Sequence, residues 1–383
     1  MENYNTYVGM DVHAKSVTCK GLIKNTGEYK QKIFKQFPYT QNLIDWLKSL
    51  PQPLYCAYES GCTGFTLARI LNNNDLKCVI IAITTLPRSE KDKRKKCDKI
   101  DAGVILREIT NPFPSYSIVR IPSVETEAHK DLIRSYKSTA SDLSSAKQEL
   151  ISYLLKYGYV WNERNSKGAL KSKWTKDYWD WVSSIESEFN EFGQIEALKN
   201  KVRKIKYIQD ELKTMKDKVL EVCKQKDIKP FIDAYTLIKG IDLLTAFLLY
   251  AELGDLTNFT AGRKVSCWAG LTPKNNSSGE NEKHGGITKD GNKYIRKGLI
   301  ECFAAIPTWT NPNKKFKKCH SDCSSKSIQI ADVANQRIFD KFNRLHFENK
   351  KNTNKAKVAV ANEAIRWIWI LGLNVLKEIS NKK

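Results

Sequence analysis

One ordered alternation constrains this chain more than any other feature. Between residues 4 and 110 the sequence reads strand, strand, strand, helix, strand, helix, strand, helix. Tyr7–Val12 is a short apolar run ending beside an acid, and Ser16–Ile23 alternates as a neighbouring strand does. Tyr29–Phe37 is a third strand, and Gln41–Leu50 a helix stopped by Pro51 and Pro53. Leu54–Glu59 and Lys77–Ala82 are further strands, separated by a helix over Phe65–Asn73, and a last helix starts near Asp98. Such an order packs helices on a central sheet, and it excludes both an all-helical bundle and a β-sandwich for this part of the chain.

The order is that of a ribonuclease-H-like α/β layer fold, in which the first and fourth strands are neighbours and the last helix crosses them. Asp11 ends the first strand and Glu59 the fourth, while Asp98 and Asp101 open the last helix at a spacing that shares one face. Taken singly, Asp98 reads as a helix cap and Asp101 as a solvated first-turn acid. Taken together, four converging carboxylates repel one another unless cations sit among them. A pair of Mg²⁺ ions, for which Mn²⁺ substitutes, is the usual solution in phosphoryl transfer. The basic loop before the helix, with Arg88, Lys93, Arg94, Lys95 and Lys96, would supply counter-charge for a phosphate backbone.

Beyond residue 124 the pattern turns helical and highly charged. Apolar residues recur at three- and four-residue spacing over Leu132–Leu155 and Ile185–Val222, as in long antiparallel helices. A polar segment containing Trp161, Trp174, Trp179 and Trp181 lies between them. The second helical stretch carries a basic cluster at Lys199, Lys201, Arg203, Lys204 and Lys206. The expected division is three domains: a metal-binding catalytic domain over 1–112, a helical linker over 113–230, and a mostly helical domain over 231–383.

Charge narrows the partners. The chain holds 64 Lys and Arg against 42 Asp and Glu, a formal net charge of +22, and 41% of its residues are hydrophobic. That composition builds a core, which excludes a wholly disordered basic tail. The charge favours a polyanion, nucleic acid foremost. A basic membrane-surface protein is the competitor, but the longest apolar stretch, Ile365–Leu376, is short and amphipathic, so no membrane is expected. No signal-peptide pattern opens the chain, and the scattered cysteines read as buried free thiols of a reducing, cytoplasmic and nucleoid-associated protein. Cys319, His320 and Cys323 form the one cluster, without the second ligand pair that structural zinc requires.

The third region holds a Gly-, Ser- and Asn-rich stretch, Ala269-Gly270-Leu271-Thr272-Pro273-Lys274-Asn275-Asn276-Ser277-Ser278-Gly279, followed by Gly285–Arg296. Its glycines admit close approach of a phosphate, and Lys274, Lys289, Lys293 and Arg296 are donors. On the residues alone this is a phosphate-contacting loop, with a nucleophilic serine as the other reading.

Four segments carry a family resemblance: Tyr7–His13, Tyr58–Gly61, Cys97–Ala102, and Ala269–Pro273 with its Ser-Ser-Gly. Together they resemble the DEDD transposases of the insertion sequence 110 family, also described as bridge-RNA-guided recombinases. The likeness runs from Tyr7 to about Ala305. It implies a RuvC-like N-terminal domain whose acids, here Asp11, Glu59, Asp98 and Asp101, bind Mg²⁺. It implies a coiled-coil linker and a transposase domain whose serine, here Ser278 with Ser277 adjacent, forms a covalent 5′-phosphoserine link to DNA. It also implies double-stranded target and donor DNA, a structured noncoding guide RNA, and dimers that assemble into tetramers. The chain departs from the family where many members have Pro-Gly-Ile-Gly, since it has Lys239-Gly240-Ile241-Asp242. A metal-dependent endonuclease or Holliday-junction resolvase, using metal-activated water, is the alternative function.

Overall fold

The computed structural model describes residues 4–35, 41–87, 98–278, 281–313 and 322–381; the side chains of 98–99, 275–278 and 281–284 also lie outside the described set. The chain divides into two compact units, Met1–Ser123 and Val124–Lys383.

Unit 1 is a six-stranded mixed sheet. Its strands are β1 (Thr6–Val12), β2 (Val17–Ile23), β3 (Tyr29–Phe34), β4 (Leu54–Glu59), β5 (Lys77–Ile81) and β6 (Ile118–Val119), in the order β3-β2-β1-β4-β5-β6. β1 pairs antiparallel with β2 and parallel with β4, so the first and fourth strands are neighbours. β6, two residues long, has too little pattern to be read from sequence.

Alternation along the strands sorts side chains onto two faces. Val8, Met10, Cys56, Tyr58, Cys78 and Ile80 share a buried cluster with Leu43 and Leu47 of α1 (Gln41–Ser49) and Leu67 and Leu71 of α2 (Thr66–Asn73). Ala57, Val79 and Ile81 face the other way, against Val104, Ile105, Leu106 and Ile109 of α3 (Asp98–Thr110). The glycine in β1 makes that second layer possible. A Cβ on Gly9 would overlap the Ala102 carbonyl oxygen and lie 2.5 Å from the Leu106 nitrogen, so α3 rests on bare backbone.

Unit 2 begins with two long helices, α4 (Val124–Lys156) and α6 (Phe192–Cys223). They run antiparallel: Lys204 meets Glu149 at 3.1 Å, and the Tyr153 hydroxyl donates to the Gln194 carbonyl at 2.8 Å. The apolar stripe expected over Ile185–Val222 is broken, because α5 (Lys176–Glu188) ends before Phe189 and α6 starts afresh at Phe192. The Trp-rich segment, expected to be polar, is a small core. Trp161, Tyr178, Val182, Ile185 and Phe189 bury Leu150 and Leu154 of α4 and Leu198 and Ile205 of α6. Trp161 donates its Nε1 proton to the Lys171 carbonyl at 2.9 Å, so even the indole's polar edge is satisfied. Toward the ends of the pair, the stripes of the two long helices are covered within one chain.

The remaining elements are α7 (Lys229–Thr236), α8 (Leu243–Leu253), α9 (Gly262–Trp268), the hairpin β7 (Pro273–Ser278) and β8 (Asn281–Ile287), α10 (Lys293–Cys302), α11 (Ser325–Asn343) and α12 (Thr353–Ser380). Among the described residues α12 is the one helix long and apolar enough, by length and composition, to cross a membrane, and it is longer than the Ile365–Leu376 stretch suggested. Val360, Ala361, Ile365, Ile368 and Leu371 on it are fully buried in the unit's main core.

Candidate active site

Two places carry the sequence-derived candidates. In unit 1, Asp11 and Glu59 each follow the last residues of the parallel β1–β4 register, Met10 and Tyr58, so they stand at one level at the C-terminal end of that pair. Asp11 has the parity of Gly9, which places it on the α3 face. It is 4% exposed, and its Oδ2 is 3.0 Å from Nε2 of His13, itself half exposed. Sequence reasoning gave His13 no role. The signal was the two-residue spacing from Asp11, which keeps both on one side where the strand ends.

Asp101 lies half-buried in the first turn of α3, one residue before the Ala102 carbonyl that rests on Gly9. Asp98 starts the same helix, with its side chain outside the described residues. Among the described residues no three His, Cys, Asp or Glu side chains gather closely enough to hold a metal ion. What unit 1 brings together is Asp11 and Glu59 at one sheet edge with the first turn of α3 over the same face. An all-carboxylate donor set is chemically suited to a hard cation such as Mg²⁺. The basic loop with Arg88, Lys93, Arg94, Lys95 and Lys96 lies outside the described residues.

The second place is in unit 2, where the Ser-Gly stretch differs from the expected loop. It is a β-hairpin, in which Ser277 pairs with Glu282 and Ser278 with Asn281, the last pair before the tip. Its base is a tight crossing of two backbone segments. Gly270 and Gly291 both have positive φ, 66° and 115°. A Cβ on Gly291 would overlap the Trp268 carbonyl, and one on Gly270 would lie 2.7 Å from Nη1 of Arg296. Only glycine meets both demands.

Side chains then pin that crossing to four helices. Asn292 caps α10 by accepting from the Tyr294 and Ile295 amides, and donates to Oε2 of Glu252 at 2.7 Å. Glu252 on α8 is fully buried and takes a bidentate pair from Arg134 of α4 at 2.7 and 2.9 Å. That pairing holds the Arg134 guanidinium's pKa above its usual value, outweighing burial. From the other side, Asn362 of α12 donates to the Leu271 carbonyl at 2.8 Å, and Arg366 bonds both Asn362 and Ser266.

The expected phosphate donors separate on this scaffold. Lys274, Lys289 and Lys293 are exposed. Arg296 is half-buried and donates from Nη1 to the Ala269 carbonyl at 3.0 Å, so part of its guanidinium clamps the crossing. Asp242, in the segment that departs from Pro-Gly-Ile-Gly, accepts from the Thr245 amide at 2.8 Å and caps α8. Gly240 keeps a positive φ of 97° with the Cys302 carbonyl against it.

The α6 basic cluster is largely engaged. Lys199 bonds Glu186 and Glu196, Arg203 lies 3.8 Å from Glu196, Lys204 bonds Glu149, and Lys201 stands over the Tyr153 ring. Cys319 and His320 fall outside the described residues; burial pushes the Cys323 thiol up to about 11.

Residues 234–318, which run from α7 through the hairpin and α10, match the family described as transposase IS116/IS110/IS902. That match covers 85 of the chain's 383 residues. The chain is 28% identical to the putative transposase y4qE of Sinorhizobium fredii (strain NBRC 101917 / NGR234), over 83% of this chain and 75% of that one. It is also 28% identical to the transposase for insertion sequence element IS1533 of Leptospira borgpetersenii, over 68% of this chain and 72% of that protein. The transposase for insertion sequence element IS1111A of Coxiella burnetii is 30% identical over 35% of this chain and 30% of its own length. The matched segment contains every glycine and polar clamp at the hairpin base except those from α4 and α12.

Proposed function

We propose that this transposase cuts and rejoins double-stranded target and donor DNA through a covalent phosphoserine at Ser278. The observation that carries the reading is the place of Ser278: the last pair of a hairpin inside the family-matched segment, on a base clamped by Glu252, Asn292 and Asn362. The serine oxygen forms a bond to phosphorus, the bond to the 3′-oxygen breaks, and the serine proton is lost as the leaving oxygen gains one. Reversal on a new 3′-hydroxyl rejoins the strand without external energy. Asp11, Glu59, Asp98 and Asp101 would hold Mg²⁺ or Mn²⁺, in a RuvC-like unit 1. Bound by those carboxylates, such a cation would supply charge neutralisation to a phosphodiester. A structured noncoding RNA guides target and donor choice, and dimers pair into tetramers.

The test is a trapped adduct. Protein, DNA and the transcript flanking its gene should give a denaturation-resistant protein–DNA species, lost in Ser278→Ala and kept in Ser277→Ala. Cleavage without an adduct would establish the hydrolytic nuclease instead. Full activity in excess chelator would refute the metal, and recombination by RNA-free protein would refute guidance. A mixture of Asp11→Ala and Ser278→Ala proteins recovers activity only when one copy's serine serves another's acids.

A further inference from the structure

A cavity of about 300 Å³ opens in unit 2, at the small end of the range for ligand sites. Phe231 of α7, Tyr250 of α8 and His129 of α4 line it, with the fully buried Tyr235 behind them and Ala251, Leu256 and Leu376 completing the wall. Phe231 and Tyr250 have centroids 5.3 Å apart with planes tilted by 45°, and His129 lies 6.0 Å from Tyr250 at 50°. These faces meet at angles rather than stack, as the sides of a cage do.

The surrounding charge is the anomaly. In a chain of net charge +22, the acids near this cavity are Asp255 on its wall, with Glu125 and Asp227 near enough to act on the Tyr250 hydroxyl. Asp255 is exposed and held in place, since Oδ1 accepts from both the amide and the hydroxyl of Thr257. Burial lowers the His129 pKa despite Glu125, so its ring is neutral near pH 7. Arg134 is bonded to Glu252, whose charge also acts on Lys130. Aromatic faces attract cations through their ring quadrupoles, and fixed carboxylates reinforce the attraction. A phosphate would be repelled by the same groups.

We propose that this cavity is an aromatic cage for an organic cation, an alkylammonium or guanidinium group, gripped by Tyr250 and His129 with the edge of Phe231 and anchored by Asp255. Such a group has two sources, a free polyamine or a Lys or Arg side chain of a second copy. Calorimetry of full-length, nucleic-acid-stripped protein with spermidine, at constant ionic strength, reads the first. Tyr250→Leu should weaken binding about tenfold, Asp255→Asn several-fold, and Tyr250→Phe little. Sedimentation of the same proteins reads the second: self-association that Tyr250→Leu weakens and spermidine competes away assigns the cage to a partner's side chain. Circular dichroism melting of each variant confirms that the fold is kept, and Tyr250→Phe controls for one that is not. Spermidine binding and self-association both unchanged in Tyr250→Leu and Asp255→Asn would overturn the proposal.

Discussion

The two candidate places are held by different means. In unit 1 the acids sit at strand ends, where alternation and register decide the face and level of each side chain. In unit 2 the serine hairpin stands on a backbone crossing fixed by polar side chains from remote helices. Apolar burial is spread over many residues, whereas a hydrogen-bonded clamp concentrates its contribution in a few. Unit 1 should therefore tolerate side-chain changes near its acids better than changes that part its layers. Unit 2 should fail at single polar residues.

Gly9→Val presses hardest on that difference. It drives methyl groups into the α3 backbone, and should cost unit 1 about 3 kcal/mol or more. A separate, earlier transition in urea, with unit 2 unfolding as before, is the expected result; an unchanged profile would mean α3 does not rest on β1 as described.

Glu252→Ala comes next. It strands Arg134 and Asn292 where the buried carboxylate had satisfied both. Arg134 is 40% exposed, so water recovers part of the loss and about 2–3 kcal/mol is expected. The hairpin amides should exchange faster while the Trp-rich core keeps its protection. Equal loss across unit 2 would show that Glu252 supports the whole core rather than the hairpin base.

A smaller effect belongs to Glu363 on α12. Burial raises its pKa, but the hydrogen bond and charge of Lys341, the Trp367 indole and Arg337 outweigh it and hold the carboxyl below its usual value. Its contribution is present above the unfolded pKa of about 4.3 and fades as the pH falls through the lower folded value. Glu363→Gln should modestly lower unit 2's stability at neutral pH and flatten part of its acid limb, the two proteins converging as the pH falls below the folded value. An unaltered acid limb would remove Glu363 from the account.

The smallest effect is on α6, where Lys204→Ala breaks a half-exposed ion pair with Glu149 and should change stability by under about 0.5 kcal/mol. A larger loss would mean that the helix pair depends on its charges.

The same contrast explains what could be read from sequence. Apart from the two-residue β6, the unit 1 strands and helices were legible within a few residues, because each carries its own period and its own breaker. The adjacency of Asp11 and Glu59 followed from strand order. In unit 2 the hairpin was read as a loop: Asn275-Asn276-Ser277-Ser278 has no apolar alternation, and Gly270 and Gly291 answer to partners rather than neighbours. The clamps escaped for a related reason. Arg134, Glu252, Asn292 and Asn362 are ordinary polar residues until the fold unites them. The Trp-rich segment misled because its charged residues face water while its rings turn inward.

The long helix pair has a mechanical side. Its hydrophobic ties lie at the ends, Ile133 with Val219 and Cys223 in one core, and Ala146 and Leu150 with Leu198 and Ile205 in the other. From Ile133 to Ala146 the span is roughly 20 Å at a helical rise of 1.5 Å per residue. Over that interval α4 has no fully buried apolar side chain, and serines and threonines take their place. A beam clipped at both ends and unglued between them bends in the middle. Twist applied at the aromatic tip would be absorbed there first, around Thr139 and Asp142, before it reached Arg134 and the root of the hairpin.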